Sequence, residues 1–169
     1  VDQEWLRGQL GRPGLSIVDA SWYLPAQGRN ARAEYDAGHI PGAVFFDQDL
    51  VVDPAAELPH TFPSASEFAR HVGAMGVSVD DTIVVYDGPG MFSAPRVWWM
   101  LRTMGAPEVF ILDGGLDGWK KAGLPVTAEA TKTAPCVFHT DFDPKRVVMI
   151  DEMQQIVSGG TAQVADARP

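Results

Sequence analysis

An α/β layered domain built on a mainly parallel central sheet is predicted by three observations. Four short runs, Ser16–Ser21, Ala43–Phe46, Thr82–Tyr86 and Glu108–Leu112, are rich in Val, Ile or Phe and end near a Gly, Asp or Pro, the marks of buried strands. Helical patterns fall between them, and strands alternating with helices build a parallel sheet. The length of 169 residues suits one domain better than two, since a domain commonly takes about 100–200 residues.

The elements follow in order. A short helix carrying Trp5, Leu6 and Leu10 leads through Gly11–Gly14 into the first strand. Ser64-Ala65-Ser66-Glu67 has capping-box spacing: the serine accepts from the third helical N–H and the glutamate reaches back. Phe68, Val72 and Met75 then share a helix face, and Gly76 ends it. Ser93-Ala94-Pro95 starts another helix, with a hydroxyl to cap and a proline whose missing N–H costs nothing in the first turn. Val97, Trp98, Leu101 and Met104 follow at helical spacing, and Gly105 is the stop; Trp98 and Trp99 read as core. Leu116–Ala122 is a short helix closed by Gly123. In such sheets ligands sit where strands end and helices begin, which selects Asp87–Ser93 for inspection.

The rest of the chain changes character. Pro125–Pro135 lacks a period and reads as linker. Cys136–Phe142 is expected as a strand lying across a surface. Asp151–Ser158, with Met153, Ile156 and Val157, reads as a helix, Gly159-Gly160 as its end, and Gln163–Arg168 as a strand. A helix, a glycine break and a strand ending in Asp-Ala thus occur twice in the same order, which suggests an internal repeat whose second copy starts near residue 147.

Composition narrows the function classes. A formal net charge of −9 repels phosphate backbones, so neither nucleic acid nor an anionic membrane surface is an expected partner. No apolar run approaches the roughly 20 residues of a membrane span. The start, Val1-Asp2-Gln3-Glu4-Trp5, has no basic stretch leading into an apolar one, which argues against a retained signal peptide and leaves a removed one open. The lone cysteine, Cys136, rules out an internal disulfide and fits a reducing compartment, so a cytoplasmic location is expected. The histidines, His39, His60, His71 and His139, are scattered without zinc-ligand spacing; no metal and no cofactor are expected.

Several motifs, in order, carry a resemblance. Tyr35-Asp36-Ala37-Gly38-His39-Ile40-Pro41-Gly42-Ala43-Val44-Phe45-Phe46 matches the rhodanese N-terminal signature. Ser21-Trp22-Tyr23-Leu24-Pro25, Val84-Val85-Tyr86-Asp87-Gly88, Ala94-Pro95-Arg96-Val97-Trp98-Trp99-Met100 and Leu112-Asp113-Gly114-Gly115 are further matches. From about Trp5 to Pro125, and again at the end, the chain resembles the first domain of tandem-domain thiosulfate and 3-mercaptopyruvate sulfurtransferases. The resemblance implies a rhodanese-like layered domain with helices on both faces of the sheet. It divides the chain into such a domain over 1–128, an interdomain linker over 129–146 and the start of a second rhodanese-like domain over 147–169.

It also implies the chemistry. In the family a cysteine on a tight strand-to-helix loop of the second domain carries sulfur as a persulfide. A thiolate at a helix N-terminus is stabilised by inward-pointing N–H groups, attacks a sulfane sulfur and passes it on. The matching position here is Asp87, which by itself reads as a turn residue after a strand and cannot carry a persulfide. Cys136 has no glycine-rich loop around it and no helix start behind it, and is read as a packed or linker thiol. Asp49 and His60 match an Asp/His pair of the mercaptopyruvate enzymes, for which proton handling is the implied role; read alone they are two polar residues on a long loop. Phe92 and Ser93 match a pair facing the persulfide, with core packing as the alternative for Phe92. His39 is expected to be structural, Arg96 to pair with a carboxylate such as Asp19, and Arg168 to match an arginine in the opening strand of the second domain.

Two functions remain open. One is a sulfurtransferase using 3-mercaptopyruvate, favoured by Asp49 and His60, or thiosulfate, with a thiol or cyanide as acceptor. Its partner would be the second rhodanese-like domain of the same protein. The other is a non-catalytic rhodanese-like module for regulation or partner binding.

Overall fold

The structure, a computed structural model, describes residues 1–166. Its centre is a sheet of four parallel strands in the order β2-β1-β3-β4: β1 Leu15–Asp19, β2 Ala43–Phe45, β3 Thr82–Tyr86 and β4 Val109–Ile111. The β-branched runs form strands because alternate side chains can be buried on opposite faces. Ile17, Val84 and Tyr86 face one layer, with α1 (Gln3–Gln9), α2 (Ala31–Ala37) and α5 (Gly115–Lys121) supplying Leu6, Tyr35, Leu116 and Trp119. Val18, Ile83 and Val85 face the other, where α3 (Ala65–Ala74) and α4 (Ala94–Thr103) supply Phe68, Val72, Val97 and Met100. Helices therefore cover both faces.

Local signals set the helix limits. Ser64 accepts from Glu67 N at 3.2 Å, and Gly76 takes the left-handed φ of 78° that ends α3. The helix α2 was not expected. It has seven residues, Asn30 caps it through Ala33 N, and Tyr35 is its one buried residue, so it has no apolar stripe to read.

Cys136–Phe142 forms no strand. The segment is extended, but its amides go to helix ends: Cys136 N donates to Gly73 O at 2.9 Å and Asp141 N to Met104 O at 3.0 Å. Carbonyls left over at helix C-termini take these donors in place of a ladder. Phe138 inserts into the core, 2% exposed and edge-on to Phe68 at 5.6 Å. The stretch expected as linker is likewise tied down, since Thr127 and His39 exchange backbone hydrogen bonds of 2.9 Å. The predicted last helix is present as α6 (Ile150–Gly159), with Ile150 and Val157 exposed. Residues 163–166 are not in a strand; the remainder of that expected strand, with Arg168, lies outside the described residues. Among the described residues no helix is long and apolar enough to cross a membrane.

Candidate functional site

Register brings the site together. Asp19, the last residue of β1, pairs with Tyr86, the last of β3, so the loop after each strand leaves the sheet side by side. Phe46, just past β2, joins the same edge through its N–H to Asp19 O at 2.8 Å.

Asp87 follows β3 and is 1% exposed. Its Oδ1 accepts from Gly90 N at 2.5 Å, and its Oδ2 from Phe92, Ser93 and Ala94 N at 2.8, 2.6 and 2.8 Å. The chain thus curls around the carboxylate and enters α4 with its first amides aimed at it. Charge-assisted bonds of this kind and the α4 dipole both favour an anion there. Gly90 permits the curl: its φ is 82°, and a Cβ would lie 2.8 Å from Gly114 C. On the other side Tyr23 Oη sits 2.8 Å from where a Cβ on Gly88 would be. Glu34 accepts from Tyr23 at 2.9 Å and from Arg29 at 2.9 and 2.6 Å. Burial first, then Glu34, push the Tyr23 phenol up to about 12.

Ser93 does not cap α4 with its hydroxyl as expected, because the Asp87 carboxylate already takes those amides. The Ser93 hydroxyl instead donates to Ala20 O at 2.8 Å and accepts from Trp22 N at 3.2 Å. Ser93 is buried, whereas Phe92 is 50% exposed beside Met91. Phe92 can therefore present an aromatic wall to whatever lies over the loop.

Asp49 and His60 come together, with His60 Nε2 3.6 Å from Asp49 Oδ1. That is beyond a direct hydrogen bond. Trp22 joins the pair: its indole N–H donates to Asp49 Oδ1 at 3.0 Å, and its ring meets His60 edge-on at 5.1 Å. Through Trp22 N on Ser93, the pair is tied to the Asp87 loop. Sequence gives Trp22 no such role: an indole N–H beside a carboxylate partner 27 residues away leaves no local mark.

Arg96 does not pair with Asp19. Its guanidinium donates to His60 O, and burial lowers its pKa. Asp19 accepts from Ser21 N at 2.9 Å, and burial raises its pKa. His39 is buried, stacked on the Tyr35 ring at 4.0 Å with Nδ1 2.8 Å from Tyr35 O, which suits the structural role expected of it. Trp98 and Trp99 are only partly buried, their indole N–H groups donating to Val109 O at 2.9 Å and Arg146 O at 3.0 Å. Cys136 lies towards the opposite end of the strands, donating to Val77 O at 3.2 Å, a residue that precedes β3. Although Cys136 is exposed, partial desolvation of its thiol, then Asp81, pushes it up. Among the described residues no group of His, Cys, Asp and Glu could hold a metal ion.

Comparison with known proteins agrees with this geometry. A rhodanese-like domain model matches residues 2–122. The chain is 41% identical over 170 residues to 3-mercaptopyruvate sulfurtransferase of Escherichia coli strain K12, covering 100% of this chain and 60% of that protein. It is 39% identical over 189 residues to the mitochondrial thiosulfate/3-mercaptopyruvate sulfurtransferase 1 of Arabidopsis thaliana, covering 99% of this chain and 50% of that one. The chain thus spans between half and three fifths of these relatives. The crystal structure of SseA from Escherichia coli, described under 3-mercaptopyruvate sulfotransferases, superposes with a TM-score of 0.93 at 42% identity, over 100% of this chain and 65% of that one. Tum1 of Saccharomyces cerevisiae superposes with a TM-score of 0.82 at 27% identity, over 95% and 56%. Fold, amide-lined loop and these similarities together place the chain in the rhodanese-like domain family.

Proposed function

We propose that this chain is the non-nucleophilic first unit of a tandem sulfurtransferase whose persulfide cysteine belongs to a second rhodanese-like unit. The observation that carries the reading is Asp87: a carboxylate fills the amide cradle in which a sulfur nucleophile would have to sit. A carboxylate is stabilised there as a thiolate would be, but oxygen cannot hold a sulfane sulfur. The sulfur donor is 3-mercaptopyruvate or thiosulfate, in line with the names of the relatives, and the acceptor a thiol or cyanide, as the resemblance implies. The unit spans residues 1–128, a connecting segment 129–146, and the second unit begins at 147. The exposed apolar residues of α6, Ile150 and Val157, favour this over a self-contained regulatory module, which would leave them uncovered. A cytoplasmic location goes with the reading, supported by the single cysteine.

In this scheme the chain forms one wall of a cleft. Phe92 keeps water from a labile sulfur, and His60, beside Asp49, moves a proton as substrate is consumed. The test is mass spectrometry of this chain after incubation with a sulfane-sulfur donor. No added sulfur on Cys136 and no turnover are expected, with turnover appearing when a second rhodanese-like unit is joined. A one-sulfur adduct on Cys136 sinks the assignment.

A further inference from the structure

The placement of Arg96 is costly in two ways, and what it holds explains why it is there. It is the third residue of α4, where a cation opposes the helix dipole. It is also partly buried, and desolvation alone acts on its pKa, so among the described residues no carboxylate compensates it. A guanidinium in that position normally finds an acid. This one donates instead to a single main-chain carbonyl, that of His60.

His60 is itself in an unusual state. Its φ is 57°, and among the described residues only Met91 shares a positive φ without being glycine. A side chain in the left-handed region is held there by its surroundings. The long loop from Asp47 to Pro63 is anchored at its start by Gln48 Nε2 on Ala20 O at 2.6 Å and by Val51, 1% exposed; towards His60, Asp53 N bonds within the loop to Thr61 O at 3.1 Å, and Phe62 packs edge-on against Trp99 at 4.9 Å. In that conformation the imidazole meets Trp22 and lies 3.6 Å from Asp49. A hollow of about 430 Å³ opens beside it, bordered also by Asp53 and Glu57 of the same loop. The charged groups acting around His60 are therefore Asp49 across the pair, Arg96 on its main chain, and Asp53 and Glu57 along the loop.

The geometry points to Arg96 as a positioning residue for His60: by gripping the His60 carbonyl it holds the left-handed turn that aims the imidazole at Asp49 and Trp22. Arg96 touches no reacting atom. The inference rests on the proposed role of the Asp49–His60 pair and adds what keeps that pair assembled.

Arg96→Met and Arg96→Lys in this chain test the geometry. His60 ring protons, assigned by their loss in His60→Ala, give a nuclear Overhauser contact to the Trp22 indole in the parent chain. Arg96→Met loses that contact; Arg96→Lys, which can still donate to the carbonyl, weakens the contact without abolishing it. An unchanged contact in folded Arg96→Met overturns the inference, and if that variant does not fold, an unchanged contact in Arg96→Lys does so. With a second rhodanese-like unit joined, Arg96→Met lowers kcat by about 10- to 100-fold, as expected for a misplaced group. Adding His60→Ala brings no further loss, because the two act as one. If His60→Ala alone leaves turnover unchanged, the reading of the pair fails; if His60→Ala is damaging and Arg96→Met is not, only the positioning role fails.

Discussion

Asp87 and Cys136 lie at opposite ends of strand β3 and, under the proposed function, divide between them what a sulfur-transfer site needs in one place. Asp87 has the environment, four converging N–H groups at the start of a helix, but the wrong atom. Cys136 has the sulfur, but its neighbours are the Val77 carbonyl, to which the thiol donates, and Asp81, whose charge opposes a thiolate. Nucleophilicity at sulfur depends on stabilising the anion, so a thiol without donors is no substitute for a cradle without a thiol. The difference teaches that a loop able to stabilise an anion and a sulfur atom are separate requirements, and that this chain holds them apart.

The largest effect expected from breaking the comparison comes from emptying the cradle. Asp87→Ala leaves four amides facing each other with no acceptor, and buried donors without partners cost about 1–3 kcal/mol each before water relieves them. A loss of about 3–5 kcal/mol in urea unfolding is expected, against less than about 1 kcal/mol for Cys136→Ala, whose thiol makes one weak bond. Equal losses would mean that the cradle is not organised around the carboxylate.

Next in size is a change of reactivity. Asp87→Cys puts a thiol among the same amides, where cysteines at helix N-termini titrate well below their ordinary range. Alkylation at pH 7 is expected to be about 100-fold faster there than at Cys136, as the gap between thiolate fractions requires. Comparable rates at the two sites would show that the loop does not stabilise an anion.

The smallest effect concerns Asp19, a second buried carboxylate at the same C-terminal end of the sheet but with fewer donors. Burial raises its folded pKa above the unfolded value near 3.8. The folded state therefore holds this proton more tightly than the unfolded state. The stability tied to it is present below about pH 3.8 and is lost as pH rises through the folded pKa. Asp19→Asn should flatten the fall in melting temperature over that range, and a parallel fall in both proteins would assign the dependence elsewhere.

Much of the architecture could be read from local pattern. The four strand runs and the Ser64 cap each depend on a few adjacent residues and appear where expected within a residue or two, although Glu67 bonds Arg70 at 2.7 Å instead of reaching back to complete the capping box. Cys136–Phe142 was misread because an extended chain bonded to helix ends looks, in sequence, like one bonded to a strand. At the site, Asp87, Asp49 and His60 could be singled out through resemblance, while Trp22 as their bridge and His60 as the partner of Arg96 could not. Those contacts join residues separated by 27 to 71 positions.

By itself the sequence determined that this is a parallel α/β layer, because strand period and helix caps are written within a few consecutive positions; that Asp87 stands where relatives would carry a sulfur nucleophile is what the resemblance implied. Only the tertiary structure decided who satisfies whom: that Asp87 rather than Ser93 takes the α4 amides, that Arg96 grips a carbonyl rather than Asp19, and that Phe138 pins the connecting segment to the core. The reason is that a buried donor or acceptor takes the best partner that packing brings within about 3 Å, and chain separation does not enter that choice.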